Sequence, residues 1–211
     1  MEHVRRQVST EAELRELIAE PIDRVRDKVR TELTDVHRCF LAAARLYFVA
    51  TSDAQGNLDV SPKGDPEGGV LVLDDRTVAL PDRPGNRRVD GLKNLLQDPH
   101  IAVEFVIPGR GDTLRINGTA TVLADAEYAP LMAVQGKPPV MIIEVAIDEV
   151  FFHCSKAFLR SQAWDPRSWP TEDDDHGVPR RAVIAKKLER PDDSLAELDR
   201  YYGAGYGKEL Y

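Results

Sequence analysis

The feature that most constrains this chain is a run of extended segments joined by very short turns. Residues 46–62, LYFVATSDAQGNLDVSP, read as two strands about a turn at Gln55, Gly56 and Asn57. Gly and Asn reach the positive φ that tight hairpins require. The pattern repeats. GVLVLDDRTVALP turns at Asp74, Asp75 and Arg76, and HIAVEFVI is separated from DTLRINGTATVLA by Pro108, Gly109, Arg110 and Gly111. VMIIEVAIDEVFF adds another strand. Six or seven strands are predicted, mostly in sequential hairpins, with one helix inserted after the fourth. Strands of that number and order favour an antiparallel barrel, closed or nearly closed, over an open sheet. The fold class is mainly β, with helices packed outside the barrel or plugging its ends.

The flanks read as helical. TEAELRELIA, residues 10–19, has Thr10 as N-cap and Leu14, Leu17 and Ile18 at helical spacing, and Pro21 ends or kinks it. A second helical pattern runs from about 22 to 45 through Val25, Val29, Leu33, Val36, Phe40 and Leu41. SKAFLRSQAW reads as a short helix after the last strand, and a final helix is expected near 193–202. PTEDDDHGVPRR, residues 170–181, reads as an exposed acidic linker. The predicted division is a helical segment over 1–45 that packs on the barrel, a barrel domain over 46–165, and a linker with a helical tail over 166–211.

Composition narrows the partners. The 211 residues carry a formal net charge of -8, a poor match to nucleic acid or to an anionic membrane. No apolar run approaches the roughly 20 residues that span a bilayer, and the N-terminus lacks the apolar core of a signal peptide. The two cysteines, Cys39 and Cys154, lie in unlike contexts, which suggests a reducing cytoplasm and no disulfide framework.

Within an acidic chain a basic cluster is informative. In PDRPGNRRVDGLKNLLQDPHIAVEF, Asn86 is placed to cap a helix with Val89, Leu92, Leu95 and Leu96 on its apolar stripe. Arg87 and Arg88 then fall in the first turn, where the helix end already carries partial positive charge. An anion makes that arrangement favourable. Backbone N–H groups and guanidinium forks together suit a phosphate, and Arg83 and Lys63 are candidates to converge on it. The alternative is that Arg87 and Arg88 are solvated, or pair with Asp82 and Asp90.

The order of these parts resembles the pyridoxamine 5'-phosphate oxidase-like family of FMN-binding split barrels. NLLQDPHIAVEF and LRINGTA carry the resemblance over about residues 38–165. Three segments match a bacterial subgroup more closely: Asp59 to Pro66, Pro81 to Arg88, and His153 to Pro166. The resemblance implies an antiparallel split β-barrel, FMN as cofactor, and a homodimer with the flavin at its interface. It implies a phosphate cradle of Lys63, Asn86, Arg87 and Arg88, with Arg83 nearby. Ser61, Pro62 and the backbone around Pro81 and Asp82 would follow the ring and ribityl chain. HCSKAFLRSQAWDP would come from the other subunit through Lys156, Arg160, Ser161 and Trp164. Lys156 and Arg160 are four apart and share a helix face, and Trp164 is expected to continue it. Arg87 and Arg88 lie about a turn farther from Pro99 than the basic residues of the namesake oxidases. AELDRYYGAGYGKELY contains no pyridoxine-phosphate motif, so that vitamin is not the expected substrate.

Other motifs are quieter. His153 and Cys154 are adjacent on a strand and point to opposite faces, so no zinc site is expected. Cys39 reads as a small core residue. GDPEGG lacks the Lys-Ser/Thr of a phosphate-binding loop, and Asp173, Asp174 and Asp175 lack the spacing of a calcium loop. No side chain stands out as acid, base or nucleophile. Flavin chemistry needs none, because the ring carries the hydride and the protein orients it. The expected function is an FMN-dependent oxidoreductase of a small substrate. The alternatives are an F420-binding reductase and a non-catalytic flavin- or haem-binding stress protein, for which His153 is the axial candidate.

Overall fold

A computed structural model describes residues 5–171 and 177–207, so the Asp173–Asp175 run lies outside the described residues. The strands are β1 (Leu46–Ser52), β2 (Leu58–Gly64), β3 (Leu71–Val72), β4 (Thr77–Asp82), β5 (His100–Val106), β6 (Thr113–Leu123) and β7 (Met141–His153). The helices are α1 (Glu11–Leu17), α2 (Asp23–Arg26), α3 (Asp35–Ala43), α4 (Asp90–Leu95), α5 (Lys156–Ser161), α6 (Arg181–Leu188) and α7 (Leu195–Tyr201). All strand pairs are antiparallel, in the order β2-β1-β5-β6-β7-β4-β3. No helix among the described residues is long and apolar enough to cross a membrane.

The expected hairpins are present, with Gly56 at φ 82° in the first turn. The sheet does not close through hydrogen bonds. It curls until its two ends face each other, and side chains bridge the gap. Part of the bend lies at Gly118 of the LRINGTA strand, where the β6–β7 register shifts. A Cβ there would sit 2.1 Å from the Ala146 carbonyl oxygen, so only glycine permits so close an approach. Inside the curl lie Tyr47, Val49, Val78, Leu80, Val103, Phe105, Leu114, Ile116 and Val145, roofed by Phe40 and Leu41 of α3.

Three bonds tie the facing ends. Tyr47 of β1 is buried and its hydroxyl donates to the Pro81 carbonyl of β4 at 3.3 Å. Burial, reinforced by Asp65 and Asp82, pushes the Tyr47 phenol up, so it remains a donor. Lys63 of β2 pairs with Asp82 of β4. Arg83, just past β4, pairs with Asp65, just past β2, at 2.7 Å, with 11% and 3% of the two side chains exposed.

The helical pattern predicted over 22–45 is broken. α2 ends at Arg26 and α3 begins at Asp35. Between them Arg30 exchanges two backbone hydrogen bonds with Val150, at 3.0 and 2.8 Å, and Lys28 donates to the Phe152 carbonyl at 2.6 Å. The reason is an exposed edge. β4 pairs only with Met141–Ala146 of β7, so the rest of β7 has unpaired backbone groups that residues 28–30 cover. Cys39 is exposed rather than core, because α3 turns His37, Phe40 and Leu41 inward.

Buried His37 accepts a hydrogen bond at Nδ1 from the Thr34 N–H at 3.1 Å and lies 5.3 Å from the Phe152 ring. Burial, then the Arg30 charge, holds its imidazole below the ordinary value of 6.5. Unfolding restores that value, so the unfolded chain takes up the proton first as pH falls. Stability from this group is present above pH 6.5 and is lost as pH drops toward the folded-state value. Glutamine at this third helical position preserves the reciprocal cap and does not titrate. His37→Gln is therefore expected to flatten the acid-side fall in melting temperature, and melting curves from pH 7 to 5 on both proteins check it.

Candidate functional site

The gap between β2 and β4 is a cavity of about 590 Å³. Its shape follows from residue alternation. Along β2, Leu58, Val60 and Pro62 are exposed while Asp59, Ser61 and Lys63 are half-buried, and the stretch from Asp59 to Lys63 lines the cavity. The opposite wall is the 82–89 loop and the first turn of α4, and Val49, Leu95 and Ile143 form an apolar floor. α4 packs closely on β1 and β2 because it presents Gly91 there. A Cβ at Gly91 would lie 3.1 Å from Asp59 Oδ2 and 3.6 Å from Thr51 Oγ1. Asn94, also buried, donates to Thr51 Oγ1 at 3.1 Å.

The loop differs from its sequence expectation. Asn86 does not cap the helix; its Oδ1 accepts from the Arg88 N–H at 3.0 Å, a local turn that competes with helix. α4 starts at Asp90, and the residue before it, Val89, is left-handed at φ 52°. Arg87 is left-handed as well, at φ 64°. A β-branched residue in that region carries strain, and such strain concentrates at ligand-binding loops. The predicted apolar stripe holds at Leu92 and Leu95, whereas Leu96 is exposed and Val89 partly so.

The predicted basic residues have different partners. Lys63 is engaged by Asp82, and Arg83 donates to both Asp65 oxygens and to the Met132 carbonyl. Arg88 donates to Asp90 Oδ2 at 2.7 Å, and that hydrogen bond holds the Asp90 carboxyl below its usual range. Arg87 makes no hydrogen bond or ion pair among the described residues, and it lines the cavity. Ser61 donates to Asp59 at 2.7 Å. Pro62, Pro84 and Gly85 also line the cavity, and Pro81 accepts the Tyr47 hydroxyl from behind. Asp59 was missed by motif reading, although the alternation of DVSPKG places it on the same face as Ser61 and Lys63.

The C-terminal candidates are elsewhere in the chain. Met141, at one end of β7, lines the cavity, while α5 follows the other end. Lys156, Arg160, Ser161 and Trp164 do not line the cavity of their own chain. Trp164 does not continue the helix face, because α5 ends at a left-handed Gln162, φ 52°. Its indole donates to the Arg110 carbonyl at 2.6 Å and stacks on Phe158 with centroids 5.4 Å apart. Ser161 Oγ donates to the Phe158 carbonyl at 3.3 Å. Cys154, exposed ahead of α5, has its thiol lowered chiefly by the Lys156 backbone N–H. The His153 Nε2 is buried without a partner, and burial holds that imidazole down.

The family model described as pyridoxamine 5'-phosphate oxidase matches residues 33–154, from just before α3 to just after β7. The chain belongs to the pyridoxamine 5'-phosphate oxidase family. This family binds flavin. No curated protein matches the chain. Among solved structures it is similar to HupZ of Group A Streptococcus, at 22% identity and TM-score 0.46, over 58% of this chain and 95% of that one. It is also similar to a general stress protein 26-related protein of Clostridium acetobutylicum, at 16% identity and TM-score 0.41, over 56% and 84% of the two chains. An FAD-binding protein of Mesorhizobium loti matches at 17% identity and TM-score 0.39, over 59% and 91%. The family region stops at Cys154, so the α5 segment lies outside it.

The local contacts of Trp164 define what its removal does. Trp164→Leu forfeits one hydrogen bond and one stacked ring pair, about 1–2 kcal/mol together at a partly exposed position. The expected outcome is a lower apo-protein melting temperature with flavin affinity unchanged. Apo melting and flavin titration on the same variant check it, and a loss of affinity alone would assign the indole to the ligand.

Proposed function

We propose that the cavity holds FMN and that the protein is an FMN-dependent oxidoreductase of a small substrate, working as a homodimer. The observation that carries this reading is Arg87. It is an exposed guanidinium without a partner among the described residues, on a strained loop at the rim of a 590 Å³ cavity. The residues fit the cofactor. Arg87 and Arg88 would receive the phosphate, Asn86 shapes the loop that presents them, and Ser61 and Asp59 offer a polar wall for ribityl hydroxyls. Lys63 and Arg83 would serve by holding the two walls at their spacing. Bound flavin supplies redox chemistry at its ring, while the chain binds, orients and desolvates it. The exposed thiols of Cys39 and Cys154 suit a reducing cytoplasm.

Support for the dimer comes from the outer face of the sheet. Leu58 is 83% exposed, Val60 63% and Phe48 37%. Phe48 pairs with Pro62, Ala50 with Val60 and Ser52 with Leu58, so these side chains form one surface beside the cavity. A second copy laid on it would bury that surface and could bring its own Lys156 and Arg160 to the open side of the cavity. Sedimentation of the flavin-bound protein is expected to report a dimer at micromolar concentration, and a flavin-bound monomer would overturn the assignment.

The phosphate assignment is tested by comparing two ligands. Riboflavin is FMN without its phosphate. Arg87→Ala and Arg88→Ala are expected to weaken FMN by roughly ten-fold or more, the scale of one charge-assisted hydrogen bond, and to leave riboflavin nearly unchanged. Equal losses for the two ligands would mean that the arginines support the loop and do not read phosphate. The absorption spectrum of purified protein separates flavin from deazaflavin and haem.

A further inference from the structure

The basic residues around the cavity differ in how firmly they are held. Lys63 pairs with Asp82, whose side chain is only 12% exposed, so withdrawing the lysine would strand a buried carboxylate. Arg88 is in the opposite situation. It donates from Nε to Asp90 Oδ2 at 2.7 Å, and its terminal nitrogen lies 2.7 Å from the same oxygen in an ion pair. Arg88 is 75% exposed and Asp90 34%. Lys93, one turn along α4, approaches the other Asp90 oxygen at 3.6 Å. Asp90 therefore sits between an arginine of the loop and a lysine of the helix, and it lines the cavity with Arg88.

We propose that Asp90 is an affinity-setting residue, a resident carboxylate that competes with an incoming phosphate for Arg88 and keeps the phosphorylated ligand exchangeable. This rests on reading the cavity as the flavin phosphate site. A guanidinium offers a carboxylate and a phosphate the same planar edge of donors, so both cannot occupy it fully. Phosphate binding at Arg88 releases Asp90 from that edge. Asp90 is not stranded by the release, because Lys93 remains within reach and the group is open to water. The exchange is therefore inexpensive at Arg88 and prohibitive at Lys63. It also makes the two adjacent arginines unequal: Arg87 meets the phosphate unopposed, and Arg88 meets it only in competition.

The test uses the full chain and titrates FMN and riboflavin by fluorescence quenching or calorimetry. Asp90→Asn retains size and polarity and removes the charge. FMN affinity is expected to rise roughly two- to five-fold, the upper range of an exposed ion pair, while riboflavin affinity does not move. In an Arg88→Met background the gain should vanish, which isolates the pair from other effects of the substitution. Asp90→Ser should reproduce the gain, so that a folding defect in one variant does not decide the matter. A wild-type preference for FMN that neither replacement increases, or a parallel loss of both ligands, overturns the role of Asp90 alone. Equal wild-type affinities for FMN and riboflavin would overturn the phosphate assignment itself, and the role of Asp90 with it.

Discussion

The ion pair between Asp65 and Arg83 governs the rest of this structure. A sheet that curls without closing leaves two ends facing each other, and something must fix their separation. Arg83 does so with a fork that reaches both Asp65 oxygens and the Met132 carbonyl. Removing one member of so buried a pair leaves an uncompensated charge, at a cost of about 3–5 kcal/mol. The neighbourhood is shaped to keep it. Gly69 is required because a Cβ there would lie 2.5 Å from the Asp65 Cβ. Tyr47 and the Lys63–Asp82 pair repeat the tie at other heights. The cavity is thus held open by polar bonds across it, where a closed barrel would be filled with apolar side chains.

This architecture divides the cations between two tasks. Those on or beside the strands, Lys63 and Arg83, are neutralised by buried carboxylates and serve geometry. Those on the loop, Arg87 and Arg88, are exposed at the cavity and serve recognition in the proposed function. The loop can carry them because its backbone is locally determined, by the Asn86 turn and the left-handed residues on either side of Arg88.

The strands were legible in the sequence because period-two alternation and short turns are local signals. Positive-φ residues mark the Gly56 turn without reference to the rest of the chain. What failed depended on distant partners. The pattern over 22–45 had helical spacing, yet residues 28–30 are drawn out by an open edge on β7, some 120 positions away. Lys63 and Arg83 are paired with Asp82 and Asp65, partners that cannot be placed opposite them from sequence. Asn86 has the chemistry of a cap and uses it three residues ahead of the cap position at Val89. Trp164 leaves the helix face that its spacing predicts because a left-handed Gln162 cuts α5 short. Asp59 was within reach, since the alternation that revealed β2 also decides which of its residues face inward.

The cover over β7 has a meaning for how such a fold is delimited. The region that identifies the family begins at residue 33, but the groups that cover the second half of β7 are the Arg30 backbone and the Lys28 side chain. Kinship and mechanical completeness therefore have different boundaries in this chain. Left uncovered, such an edge is a template for unwanted pairing. Here the leading segment acts as a hem. It lies outside the matched region, and its hold on the sheet is the Arg30 backbone on Val150 with the Lys28 side chain on the Phe152 carbonyl.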